Sequence, residues 1–392
     1  MSRFQRATAL VAGLVCFVAW HGSVAAQAVG PNDAARFLAG MQPSAGSPAA
    51  VLARNPNWQR QARWFDSNWT SLESRQLSKV RAWSNQHLQD RKRPLHYMFS
   101  GPDFLYADAF FPDATVYLMS GLEPVGAVPV IGERSIRSMP RIQSSIANSL
   151  QLSFFITKNM RSQLQGGDLS GTLPILYVYI ARAGKTIREV TLVNLDKEGA
   201  IHASSGGEQR GMAPGVKIVF TTGNGPPQTL YYFRTDVSNS GVNNSGFLKF
   251  AATLGVGNGL LKSASYLMHS GNFTQVRDFV LQHSLAIVQD DSGIPLHAFK
   301  ADQWDFRPFG KYLGPIAIFP GRYQPRLATL FKKAPALPFG IGYRHRGYDS
   351  NLLLAVKKAA RVPQQASEAH PKRVHEAAAG DAKLRPSVNP EE

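Results

Sequence analysis

A series of short apolar, β-branched or aromatic runs, several stopping at a polar turn, constrains this chain more than any other feature. Residues 95–99 run into Ser100-Gly101-Pro102-Asp103, and 115–119 into Ser120-Gly121-Leu122-Glu123-Pro124. Residues 189–195 end at Asp196-Lys197-Glu198-Gly199. Residues 216–220 end at a Thr/Gly/Asn turn, and a hairpin returns as 229–233 to end at Arg234-Thr235-Asp236. Residues 265–268 stop at His269-Ser270-Gly271, and 285–288 at Gln289-Asp290-Asp291-Ser292-Gly293. Each reads as a strand bounded by turn chemistry.

Helical stretches lie between several of these runs. Residues 104–111 are closed by Pro112, and 246–254 and 274–283 follow later; in the last, Val276, Phe279, Val280 and His283 share a face, with Asn272 as N-cap. Strands that are continuously apolar and alternate with helices call for a sheet covered on both faces. The expected fold is α/β: a Rossmann-like, mainly parallel mixed sheet flanked by helices.

Ahead of it, Pro56 starts a Trp-rich helix whose stripe is Trp58, Ala62, Phe65, Trp69, Leu72, Val80 and Trp83. Residues 29–55 read as a loose leader, and 56–361 as one α/β domain. Within that domain, about 133–183 form a helical insertion, with helical stretches at 142–152, 156–164 and 173–180. Residues 337–343 predict a glycine-permitted close approach of two backbones. From 362 onward the chain is poor in apolar residues and is expected to be disordered.

The first 28 residues carry the pattern of an export signal. Arg3 and Arg6 precede an uncharged stretch, 7–20, that is shorter than the roughly 20 residues of a membrane span, and small residues up to Ala28 follow. Two cleavage sites fit, after Ala26 or after Ala28. The single cysteine, Cys16, lies inside this segment, so a cleaved chain has no disulfide and no thiolate chemistry. The expected location is the periplasm or the medium, with no transmembrane segment after cleavage.

The chain has 43 basic and 26 acidic residues. Inside a cell that balance suggests nucleic acid; outside, the polyanions met first are lipid headgroups and acidic glycans, and no nucleic-acid partner is expected. The charge is concentrated. Residues 306–361 hold eleven Lys or Arg, Lys332, Lys333, Arg344 and Arg346 among them, against the single acid Asp349. These four are the candidate ligand-binding cations.

Specific catalytic spacings are absent. Gly184-Lys185-Thr186 lacks the earlier glycine of a phosphate loop, and Gly255-Val256-Gly257-Asn258-Gly259 follows a helix and reads as a helix stop and turn. There is no nucleophile elbow, no Ser-x-x-Lys and no His-Glu-x-x-His. The sequence names no metal and no cofactor.

What remains is position. Ligands of open α/β sheets bind beyond the carboxyl ends of parallel strands. That rim collects Asp103, Glu123, His269 and Asp290 as candidate acid, base or cation-holding groups, and Ser100, Ser120, Asp236 and Asp291 as candidate ligand contacts. Two functions follow as expectations: an exported protein that binds an anionic lipid or glycan through the basic segment, or a hydrolase or transferase working at the rim.

Overall fold

The computed structural model describes residues 28–152, 169–204, 209–345 and 349–358. The expected export signal up to residue 27, the expected helical stretch 156–164, Arg346 and the tail from 362 lie outside the described residues.

Ten strands form one sheet: β1 (Leu95–Tyr97), β2 (Val116–Gly121), β3 (Lys185–Leu195), β4 (Ile201–Ala203), β5 (Ala213–Thr222), β6 (Gln228–Arg234), β7 (Gly257–Leu261), β8 (Ser284–Gln289), β9 (Trp304–Gly310) and β10 (Asn351–Lys357). Their spatial order is β4-β3-β5-β6-β2-β1-β7-β8-β10-β9. The central five, β6-β2-β1-β7-β8, are parallel. Antiparallel strands extend the sheet on both sides, and five of its nine pairings are antiparallel. The fold is α/β, but the expected predominance of parallel pairing is corrected. The cause lies in two sets of strands whose connections carry no long apolar helix stripe. One is β3 to β6, an antiparallel set in which β3 lies between β4 and β5, and the other is β9 with β10.

Successive residues of the central strands bury on opposite faces, as a doubly covered sheet requires. Tyr117, Met119, Tyr232, Leu260 and Val288 enter one core, built with the helices Pro31–Leu38, Pro56–Leu72, Phe104–Phe110 and Leu173–Arg182. Leu118, Phe233, Leu261 and Ile287 enter the other, with the helices Phe247–Thr253 and Thr274–His283. The helix from Pro56 buries Trp58, Ala62, Phe65, Trp69 and Leu72, and Asn55 caps it by accepting from Asn57 N–H. A π-helical turn, Glu73–Leu77, separates it from Ser78–His87 and resets the phase, so that Val80 and Trp83 also face inward.

The structure moves one strand. Residues 267–269 form a 3-10 turn, and the strand lies earlier, at β7, within the glycine-rich stretch read as a turn. Close packing explains these glycines: a Cβ on Gly257 would strike the Pro94 carbonyl, and one on Gly259 would crowd Ile287, Ser284 and Val280. Asn272 does not cap Thr274–His283; the residue before that helix is Phe273, which makes no side-chain cap.

Candidate functional site

The parallel strands all release their chain at one edge. Strand order reverses at β1, where β2 lies on one side and β7, reached only much later in the chain, on the other. Over this reversal lies a cavity of about 210 Å³, walled by the exits of β1, β2, β6 and β7 and by Phe273. Its apolar side includes Phe99, Leu122, Val237, Leu267 and Phe273; its polar side includes Asp103, Glu123, Asp236 and Lys262.

Two serines fasten the β1 and β2 exits together. Ser100 Oγ lies 2.7 Å from the Gly101 carbonyl and accepts Ser120 N–H at 3.2 Å, while Ser120 Oγ donates to Met98 O at 2.7 Å. Gly101 N–H continues the pairing to Ser120 O, with Gly101 at a φ of +53°, which glycine adopts at no steric cost. Both serines line the cavity, yet their hydroxyls are spent on backbone.

Asp103 is the hub of the β1 exit. One oxygen accepts Tyr106 N–H at 3.3 Å and so caps the Phe104–Phe110 helix. The other accepts Tyr97 Oη–H at 2.8 Å and the Lys262 ammonium at 2.9 Å. Both charged side chains are 2% exposed, and the ammonium sits 4.3 Å from the centre of the Tyr106 ring. Burial pushes the Asp103 carboxyl up, and Lys262 and Tyr97 act against that. Burial, with the Asp103 charge beside it, also pushes the Tyr97 phenol well above its ordinary range.

Glu123, 3% exposed, reaches the cavity from the β2 exit. Tyr232 Oη donates to its carbonyl at 3.1 Å and lies 3.4 Å from Oε2. Gly121 gives the carboxylate its room, since a Cβ there would collide with Oε2 and with the Tyr232 hydroxyl. Asp236, exposed at the β6 exit, accepts Ser238 N–H at 2.8 Å and Ser238 Oγ–H at 2.7 Å.

The β7 exit is the strained wall. Ser263, Ser265 and Tyr266 each hold a φ of +53°, a region side-chain-bearing residues rarely enter. The β8 exit supplies the restraints. Asp290 accepts Ser263 N–H at 2.9 Å with one oxygen, and Ser292 N–H and Oγ–H with the other. Ser292 Oγ accepts Ala264 N–H at 2.8 Å. Asp291 accepts the Tyr266 phenol at 2.5 Å and Asn351 Nδ2–H at 3.0 Å. Ser265 Oγ and Tyr343 Oη lie 2.8 Å apart, and Gly342, at a φ of +69°, leaves the space that Asp290 fills. Burial, joined for Asp290 by the neighbouring charge of Asp291, raises both carboxyls.

Of the residues expected at the rim, Ser100, Asp103, Ser120, Glu123 and Asp236 line one cavity. Asp290 and Asp291 lie behind the wall, with their oxygens occupied as described. His269 stands against the Tyr266 ring, 5.2 Å between centroids, and is not part of the cavity wall. The displaced strand explains this, because His269 belongs to the turn after the β7 exit. Burial, with Arg322 beside it, pushes His269 down to about 4. Sequence reasoning missed Lys262, Ser263 and Ser265 for the same reason: with β7 displaced, its exit was invisible. Among the described residues, no three His, Cys, Asp or Glu gather as a metal site.

The basic segment divides into two classes. Lys332 and Lys333 are exposed, as are Arg307, Lys311 and Arg326. Arg344 instead donates to the carbonyls of Gly314 at 2.8 Å and Pro315 at 3.2 Å, and Lys357 donates to those of Leu281 and Gln282. No described helix is long and apolar enough to cross a membrane. Set against known protein families, curated proteins and solved structures, the chain matches none of them.

Proposed function

We propose that this protein binds a small molecule in the cavity over the β1 reversal, and that it acts there as a transferase or hydrolase with Glu123 meeting the ligand. The observation that carries this reading is the β7 exit. Left-handed backbone at non-glycine residues costs of order 1–3 kcal/mol each. Such strain persists only where surrounding groups over-determine it, and it clusters at ligand sites. Here Asp290, Asp291, Ser292 and Tyr343 supply that restraint along a cavity wall. The parallel order β6-β2-β1-β7-β8, reversing at β1, supports the Rossmann-like reading and its rule that ligands bind at the reversal. A thermal-shift screen of small metabolites tests the proposal. Compounds that raise the midpoint should lose their effect in Leu122→Trp, which enlarges a half-exposed side chain of the cavity lining; no such compound, or shifts that survive this change, would refute it.

A second reading rests on a different surface. Leu313, Ile318 and Tyr323 are 54%, 71% and 57% exposed, in the same stretch as the exposed cations Lys311 and Arg326. Aliphatic and cationic groups together suit an anionic lipid surface better than a glycan. Co-sedimentation with vesicles containing phosphatidylglycerol, weakened by salt and by K332E/K333E, is the expected result. Equal recovery with phosphatidylcholine vesicles, or preference for heparin, would reject it. An export signal at residues 1–28 would place such a surface at the envelope, and amino-terminal mass spectrometry of the mature chain should find Gln27 or Val29 first.

A further inference from the structure

We propose that Ser263 is the residue of the strained wall whose side chain meets the ligand, and that the ligand offers it a hydroxyl or carbonyl oxygen carried on a compact apolar body. The inference rests on the cavity being a ligand site, and names the group at the β7 exit that makes the contact.

Ser263 bears two costs at once. Its φ of +53° is one that glycine adopts readily and that a residue with a Cβ rarely enters. Its Oγ is buried and has no hydrogen-bond partner among the described residues. A hydroxyl enclosed in that way has given up its bonds to water without gaining others. Glycine at this position would remove both costs. The bonds that hold residue 263 in place run through its backbone: the N–H donates to Asp290 at 2.9 Å, and the carbonyl accepts Tyr343 Oη–H at 2.9 Å.

The other serines of the lining are engaged. Ser100 and Ser120 hydroxyls bond to backbone across the β1 and β2 exits, and Ser265 Oγ lies 2.8 Å from Tyr343 Oη. Among the described residues that line the cavity, Ser263 Oγ is the buried polar side-chain atom left without a partner. Its backbone is pinned on both sides, so rotation about the single Cα–Cβ bond turns the hydroxyl toward the cavity and moves nothing else. A hydroxyl both donates and accepts, which suits a ligand hydroxyl or carbonyl.

The rest of the ligand meets apolar groups. Phe99 and Phe273 pair at 6.1 Å between centroids, with Leu122 and Val237 also on the lining. A space of about 210 Å³ is smaller than the pockets of roughly 300–1,000 Å³ that take drug-sized molecules, which limits the body to about one ring.

The test is NMR titration of the full chain with two probes of one shape, benzyl alcohol and toluene, which differ by the oxygen. Both should bind the wild type, and Leu122→Trp should weaken both. In Ser263→Ala, benzyl alcohol should bind about fivefold more weakly or worse, and toluene should change by less than about twofold. The urea midpoint of this variant should stay level or rise, because the enclosed hydroxyl is gone. Ser263→Gly is the second variant, with the same split between probes expected. Equal changes for both probes, or a clearly lower midpoint in Ser263→Ala, would overturn the role of the hydroxyl; the cavity would still stand as a ligand site. Binding that survives Leu122→Trp would overturn the cavity and this inference together. If neither probe binds, this ligand class is wrong, and the metabolite screen with Leu122→Trp decides the cavity on its own.

Discussion

The Lys262 ammonium and the Asp103 carboxylate, one leaving β7 and the other capping the helix after β1, meet at 2.9 Å with both side chains 2% exposed. A pair this deep loses the solvation of both ions, and the mutual attraction, the added bonds from Tyr97 and Tyr106 and the Tyr106 ring beside the ammonium act against that loss. Removing one partner is therefore far more damaging than removing both charges. Lys262→Met should cost about 3–5 kcal/mol in urea unfolding. Adding Asp103→Asn to it should recover part of that loss, because the amide needs no counter-ion. A loss under 1 kcal/mol for K262M would refute this account.

Strain at the β7 exit makes an unusual forecast for glycine. Replacing a residue with glycine ordinarily destabilises through chain entropy, by about 0.5–1 kcal/mol. At Ser263, whose φ is +53°, glycine also relieves the roughly 1–2 kcal/mol cost of a left-handed residue. Ser263→Gly should thus gain about 0.5–1 kcal/mol, read as a higher denaturation midpoint, while weakening any ligand found by the screen, since relaxed backbone no longer holds the wall. A clear loss of stability would show that the conformation is not strained.

Acid should weaken the fold through His96. Burial is the chief cause that pushes this imidazole down to about 4. Its folded value is thus below that of the unfolded chain, near 6.5, and the unfolded state takes up the proton first. The stability it contributes is complete above about pH 6.5 and is lost as pH falls toward 4, by about 3 kcal/mol. Asp290 and Asp291 act in the opposite sense across the same range, since raised carboxyls favour the folded chain as they protonate. Urea curves at stepped pH for wild type and His96→Gln separate the two. The variant should lose the acid-side decline attributable to His96, and parallel curves would contradict the assignment.

The basic segment predicts a division of labour. Reversing Lys332 and Lys333, both exposed, should leave stability within about 0.5 kcal/mol while reducing vesicle binding. Arg344→Glu breaks the bonds to Gly314 and Pro315 and should cost about 1–3 kcal/mol in thermal or urea unfolding. Equal effects of the two changes on stability would show that the distinction between surface and structural cations is wrong.

Much of the sheet could be read locally. Runs such as 115–119 and 285–288 are short, apolar and closed by turn residues, and they became β2 and β8 with Glu123 and Asp290 at or beyond their exits. The helix Thr274–His283 followed from its apolar stripe. Strand β7 failed because its sequence, Gly-Asn-Gly-Leu-Leu, carries too few side chains to show a period. Its glycines answer to Pro94 and Val280, which are distant along the chain.

Hydrophobic periodicity and turn chemistry are local properties of the chain, so strands such as β2 and β8 could be read from the sequence, whereas β7, β9 and β10 could not. The sequence also put Asp103 and Glu123 at strand ends. What those groups meet depends on how distant strands come together. Lys262 is remote in sequence from Asp103, and nothing local says that one carboxylate is consumed by that ammonium while Asp290 and Asp291 hold a neighbouring loop in strain. Those pairings depend on strand order, and strand order is set by how ten strands and their helices bury both faces of one sheet together.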